Sequence, residues 1–221
     1  MFASCSHGAA KISGARRKVT TSCIGICCKN SWNLETPSPR WSVADQIAHL
    51  TYFDYTAAIA ISDPDHFKEL VNDLFSNAGG EPDSIDELTL GKYRKLPPAE
   101  LLKEWRSERQ HLAEASESLE NDTRVAWYGP SMGARSFLTA RLMEAWAHGQ
   151  NIVDAVNGYR APTERLRHIA QLGFITRKWT YINRGLEAPS DEVAVNLTSP
   201  SGDLWSWGSE SSDSSVEGPA E

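Results

Sequence analysis

The chain has 221 residues, enough for one domain or one domain and part of a second, and enough to bury a core without disulfide or metal staples. Its 40% hydrophobic and 23% charged residues exclude wholesale disorder and a collagen-like fibre. A net charge of −7 argues against a general nucleic-acid binder, and no apolar run is long enough to span a membrane.

The charge is unevenly placed. Residues 1–34 hold Lys11, Arg16, Arg17, Lys18 and Lys29 and none of the 29 acidic residues. All four cysteines, Cys5, Cys23, Cys27 and Cys28, lie in the same stretch. The body therefore has no disulfide and no thiolate ligand of its own, which fits a reducing, cytoplasmic compartment. Residues 1–31 read as a disordered or mispredicted basic extension outside the folded body. Their acid-free, Ser-rich composition also suits an organelle transit segment, although no amphipathic helix is visible in them.

Pro39-Arg40-Trp41-Ser42 leads into the first clear element. Ser42 is an N-cap with Asp45 three residues on, a capping box with Asp in place of Glu. Val43, Ile47, Leu50, Phe53, Ala57 and Ile61 follow at helical spacing, so residues 42–61 read as an amphipathic helix. A second helix is expected over 64–77. Residues 79–96, rich in Gly, Pro and acids, read as a loop with one helical turn.

Pro97-Pro98 opens the next helix at the position proline tolerates best, with an apolar stripe of Leu101, Trp105, Leu112, Ala115 and Leu119. Trp127-Tyr128-Gly129-Pro130 reads as a turn. A long helix over 134–156 stops at Asn157-Gly158, and another is expected from Pro162 to about 184. After Pro189 the period changes to two: Val193, Val195 and Leu197, then Leu204-Trp205-Ser206-Trp207, a β-hairpin signal. The Ser- and acid-rich residues 209–221 show no apolar periodicity and read as a tail. The expected division is a helical metal-binding domain over 32–188 and a partial C-terminal unit over 189–221.

Six histidines are present. His148 follows Glu144 by four residues in the long helix, which places both on one face about a turn apart. Phe137, Ala140, Ala147, Asn151 and Ala155 lie near that face. A carboxylate and an imidazole among small and apolar residues need compensation. A divalent cation supplies it, and so does a mutual hydrogen bond. His49, on the flank of the first helix's apolar stripe, adds a second imidazole. Inward-facing side chains on facing bundle helices are a common way to build a metal site. Two imidazoles and one carboxylate with an open fourth position is the pattern of a catalytic zinc, and the same set suits ferrous iron, nickel or manganese. His168 is a further candidate for the open position. His66 and His111, set among charges, read as solvated. Asp45 reads as the cap, and Asp54 as a surface or hydrogen-bonded carboxylate, with support of the metal as the alternative. Trp41, Trp105, Trp127 and Trp146 read as core or pocket wall.

The run Thr36-Pro37-Ser38-Pro39-Arg40-Trp41-Ser42-Val43, continued by Asp45 and Ala48-His49-Leu50, resembles the TPxPGWSVxDxxAHL segment of the DinB-like superfamily. Residues 140–150, with Glu144 and His148, are similar to the Glu-x3-His-x-x-Asp helix of its branch of mycothiol-dependent maleylpyruvate isomerase metal-binding domains. Arg165 to His168 and the Trp205–Trp207 hairpin resemble an uncharacterised metal-binding subfamily of that branch. The resemblance implies a mostly α fold, a DinB-like four-helix bundle, followed by a short β-hairpin from a truncated α+β unit. It implies His49, Glu144 and His148 as metal ligands. The chain departs from the pattern in three places. Residues 1–31 do not look like the family's first helix, Arg40 replaces a glycine, and only a hairpin of the C-terminal α+β domain is evident.

The activity implied is that of a metal- and thiol-dependent transferase or isomerase. A low-molecular-weight thiol held at the metal attacks an electrophilic small molecule. Arg135 and Arg141 read equally as residues that steer a carboxylate substrate and as surface side chains, and a homodimer is compatible with the resemblance. Two other classes remain: a non-catalytic metal-binding module or degenerate family member, and a metal-dependent hydrolase. The hydrolase lacks a Glu beside a ligand of the zincin kind.

Overall fold

The computed structural model describes residues 31–79 and 82–220. The basic extension up to Asn30, with its four cysteines, lies outside the described residues. Among the described residues no helix is long and apolar enough to cross a membrane.

Helix α1 spans Val43–Ser62. The capping box forms at its start: Ser42 Oγ accepts from the Asp45 amide and Asp45 Oδ2 accepts from the Ser42 amide at 2.8 Å. Twelve of its twenty residues are buried, which marks it as the central helix, not a surface one. Helices α2 (Pro64–Asn77), α3 (Pro82–Arg94), α4 (Pro98–Ser116) and α5 (Ala134–Ala155) all pack against it. Two apolar clusters sit along it. One gathers Trp32, Val43, Ile47, Leu90, Leu101 and Ile152, and the other Ala57, Phe67, Leu112, Val125 and Phe137. His49 and Phe53 fall between them in sequence.

Helix α3 corrects the expectation of a loop over 79–96. Thr89, Leu90 and Tyr93 are buried, while Ile85 and Leu88 are exposed. Its apolar face is little more than one turn long, too short to stand out as a period. Two side-chain contacts tie it to the start of the bundle. Arg94 Nε donates to Asp45 Oδ1 at 2.7 Å, and Trp41 Nε1 donates to Asp86 Oδ2 at 2.8 Å.

A two-residue antiparallel pair, β1 (Arg124–Val125) and β2 (Met132–Gly133), brackets the Trp127–Pro130 turn and leads directly into α5. The single helix expected after Pro162 is two: α6 (Leu166–Ile175) and α7 (Arg177–Ile182). The break falls at Thr176, whose hydroxyl donates back to the Leu172 carbonyl at 2.7 Å, a bond that bends helices.

The C-terminal unit is a three-stranded sheet of order β4-β3-β5 rather than a bare hairpin. Strands β3 (Val193–Thr198) and β4 (Leu204–Trp207) pair antiparallel as expected. The presumed tail supplies β5 (Ser214–Pro219), which runs parallel to β3 on its other edge, Val195 opposite Val216. Gly208 makes the turn leaving β4 at φ +81°, where a Cβ would collide with the Val193 carbonyl. The sheet touches the bundle through α6 and β4.

Candidate metal centre

The site lies where α1 faces α5. The segment before α1 doubles back through the Glu35–Ser42 bridge, and Trp41 lies against His49 of α1 and His148 of α5. His49 comes from the third position of α1's second turn, and Glu144 and His148 come from the middle of α5. Glu144 Oε2 stands 3.1 Å from His49 Nε2 and 3.1 Å from His148 Nε2. The two imidazole rings lie 4.2 Å apart, centroid to centroid. Among the described residues this is the one group of His, Cys, Asp or Glu side chains that can share an ion, its donor atoms all within 4.8 Å of one another.

The surroundings are aromatic. Trp41 lies 4.9 Å from the His49 ring and 5.8 Å from the His148 ring, and Phe53 lies 4.4 Å from His49. The side chains of His49, Glu144 and His148 keep 16%, 28% and 15% exposure, so the cluster is sunken but reachable.

Burial alone would raise the Glu144 carboxyl. The imidazoles of His148 and His49 set against it, helped by the charge of Arg141, outweigh it and hold the group well below the usual carboxylate range. Burial is the largest influence on His49 and lowers its imidazole below the ordinary value, against the pull of Glu144. An ionised carboxylate and a neutral imidazole are the protonation states metal ligation requires. Two donors on one tetrahedral zinc, with bonds near 2.1 Å, stand about 3.4 Å apart, so the observed spacing fits an ion with small adjustment.

Arg141, one turn before Glu144, is buried at 6% exposure. Its Nη2 is 3.9 Å from Glu144 Oε1, and its guanidinium lies 4.9 Å over the Trp127 ring. Its Nε and Nη1 have no hydrogen-bond partner among the described residues. Stacking on Trp127 and the nearby carboxylates compensate the buried cation. Asp54 is also buried, at 1%, and accepts from Arg109 Nη1 at 3.1 Å. Burial raises its carboxyl above the ordinary value, with Arg109 and Arg141 opposing. Asp54 thus belongs to an ion-pair network beside the site and is not part of the ligand cluster.

The sequence pattern of the mycothiol maleylpyruvate isomerase N-terminal domain matches residues 18–153, more than half of the chain and all three clustered side chains. The chain belongs to this family. Two uncharacterized proteins of Mycobacterium tuberculosis, from strains CDC 1551 and H37Rv, are each 42% identical to it over 191 residues, 86% of this chain and 72% of theirs. A crystal structure of the mycothiol-dependent maleylpyruvate isomerase superposes with a TM-score of 0.53 at 20% identity, covering 89% of this chain and 78% of that one. A histidine-to-alanine mutant of that isomerase gives 0.54 at 19%. At this identity the likeness establishes a shared fold. The family match begins inside the basic extension, at residue 18.

The remaining sequence candidates divide cleanly. Asp45 is the cap, and Trp41 and Trp127 are walls of the site region. His168 is exposed on α6 and takes no part in the cluster. His66 and His111 are exposed and pair with Glu69 and Glu108 on their own helices. Arg135 is exposed and donates to Asn121 Oδ1. Sequence reasoning passed over Gln46 and Thr36, whose roles depend on contacts across the fold. The one available signal was that Gln46 precedes His49 by three residues, on the same helix face.

Proposed function

We propose that this protein binds one divalent ion, zinc best fitting the donor set, through His49, Glu144 and His148, and works with a low-molecular-weight thiol as an isomerase or transferase. The observation that carries this reading is the convergence of two Nε2 atoms on one ionised carboxylate oxygen, from helices 95 residues apart in sequence. A divalent ion held there supplies Lewis acidity and keeps a thiol in its nucleophilic form at neutral pH.

The chain's own residues have separate tasks. His49, Glu144 and His148 are three protein ligands, one short of tetrahedral, and the cysteine-free body offers no thiolate to complete the set. Trp41 and Phe53 shield the imidazoles from water on their flank, which strengthens electrostatic interactions there. Arg141 adds to the two imidazoles in keeping Glu144 ionised. The thiol partner suggested by the family is mycothiol. On an isomerisation substrate, its thiolate sulfur forms a C–S bond to one carbon of a cis double bond conjugated to a carbonyl, and the π pair of that bond moves onto the carbonyl oxygen, leaving a single bond that rotates. Return of the pair breaks the same C–S bond, restores the alkene and releases the thiolate. Such chemistry belongs in the cytoplasm, where small thiols stay reduced.

The test is optical. In cobalt-loaded protein, mycothiol or glutathione should produce a thiolate charge-transfer band in the near ultraviolet, and the His49→Ala variant should show none. A cobalt spectrum that no thiol perturbs would overturn the thiol role. If water or acetate still exchanges at the ion in that case, the hydrolase reading takes its place.

A further inference from the structure

We propose that Gln46 is a positioning residue for this centre: it holds the His148 proton on Nδ1, so that the Nε2 lone pair faces the ion. The proposal rests on the metal reading above and deepens it. Gln46 has no exposed surface, although an amide is costly to bury without partners. The donor–acceptor sequence around it has one consistent solution.

It starts at the Trp41 carbonyl, which can only accept. Thr36 Oγ1 lies 2.8 Å from it and must therefore donate its single hydrogen there. With that hydrogen committed, Thr36 Oγ1 can only accept from the Gln46 amide, 2.8 Å away, so the atom facing Thr36 is Gln46 Nε2. The other end of the amide is then the carbonyl oxygen, and it faces His148 Nδ1 in a short contact. Asn151 Nδ2 approaches the same oxygen at 3.5 Å, as a donor should. An oxygen cannot donate, so His148 Nδ1 carries the hydrogen. A neutral imidazole protonated at Nδ1 presents a lone pair at Nε2, the atom 3.1 Å from Glu144 Oε2. Two lone pairs that close are repulsive unless a cation lies between them. The Thr-Pro segment, α1 and α5 thus meet in one relay, Trp41 to Thr36 to Gln46 to His148, that leaves the ring ready for a metal. Outer partners of this kind typically alter metal affinity by about 10–100-fold when removed.

The decisive experiment uses the full chain stripped of metal and labelled with ¹⁵N-histidine. The protonated and lone-pair nitrogens of an imidazole ring are distinguishable by NMR. Wild-type His148 should be protonated on Nδ1, and Gln46→Leu should move the proton to Nε2. Wild-type protein protonated on Nε2 would overturn the proposal, whether or not the variant folds. In a second arm, competition with a chromophoric chelator should show zinc bound about 10–100-fold more weakly by Gln46→Leu. Gln46→Glu, which keeps an acceptor facing Nδ1, should remain near wild type. Equal affinity of Gln46→Leu and wild type also overturns it. Wild type binding zinc no better than Glu144→Ala contradicts the metal centre itself, and the metal-free NMR arm separately decides whether Gln46 sets the ring.

Discussion

His49 Nε2 and Glu144 Oε2 stand 3.1 Å apart, on helices that share no local sequence and meet only because α5 lies along α1. The contact is sunken, it pairs an ionised carboxylate with an imidazole that burial keeps neutral, and a second imidazole reaches the same oxygen. A structural hydrogen bond would need only one of those rings.

Glu144 also matters to the metal-free fold. Its removal leaves Arg141 buried without its nearest carboxylate. Glu144→Ala should cost about 1–3 kcal/mol of stability in the presence of chelator. Urea denaturation of the stripped protein checks this. A variant as stable as wild type would show that Arg141 is compensated by Trp127 and Asp54 alone.

Acid should weaken the metal-free protein in two stages. His49 has a folded-state pKa below its ordinary value of 6.5, so the unfolded chain binds that proton first. Its contribution is intact above pH 6.5 and is lost as pH falls from there towards the folded value. Glu144, depressed from 4.5, adds a loss that begins only below that pH. Melting temperature should therefore fall between pH 6.5 and 4.5 by a component that His49→Gln removes. An unchanged slope in that variant would contradict the assignment.

Arg40 adopts φ +71°, a left-handed conformation that suits glycine. This gives the position's departure from the family pattern a physical cost of about 1–2 kcal/mol. The Arg40–Asp86 pair is long, at 3.9 Å, with Arg40 half-exposed, and returns little of it. Arg40→Gly should raise stability by about 0.5–1 kcal/mol, after allowing for glycine's extra freedom when unfolded. Thermal melting measures it, and a lower melting temperature would show that the Arg40 side chain contributes more than its geometry indicates.

Asp86 connects a helix that sequence reading missed to the wall of the site. Asp86→Ala removes the acceptor of Trp41 Nε1 and should cost about 1 kcal/mol. The freed indole should also change the tryptophan emission. An unaltered spectrum would mean that α3 does not hold Trp41.

The parts of this account that were legible in the sequence are those written in local patterns. The Ser42–Asp45 cap, the stripe from Val43 to Ile61 and the Glu144–His148 spacing all lie within a few turns of helix, and α1 and α5 follow from them. What escaped was set by partners distant in sequence. α3 has too short an apolar face to show a period, and its role comes from Asp86 and Arg94 reaching back to Trp41 and Asp45. β5 pairs by backbone with the free edge of β3, so its exposed Ser and Glu side chains carry no alternation. Gln46 looks like a polar interruption of α1 until Thr36 and His148 are placed on either side of it.

Zinc titration of the chelator-stripped full-length protein tests the central claim most directly. Calorimetry should give one site per chain in wild type and in His111→Ala, and strongly weakened binding in His49→Ala, Glu144→Ala and His148→Ala. Wild-type protein that binds no zinc, nickel, manganese or ferrous iron, or that binds one equally well without His148, would contradict it.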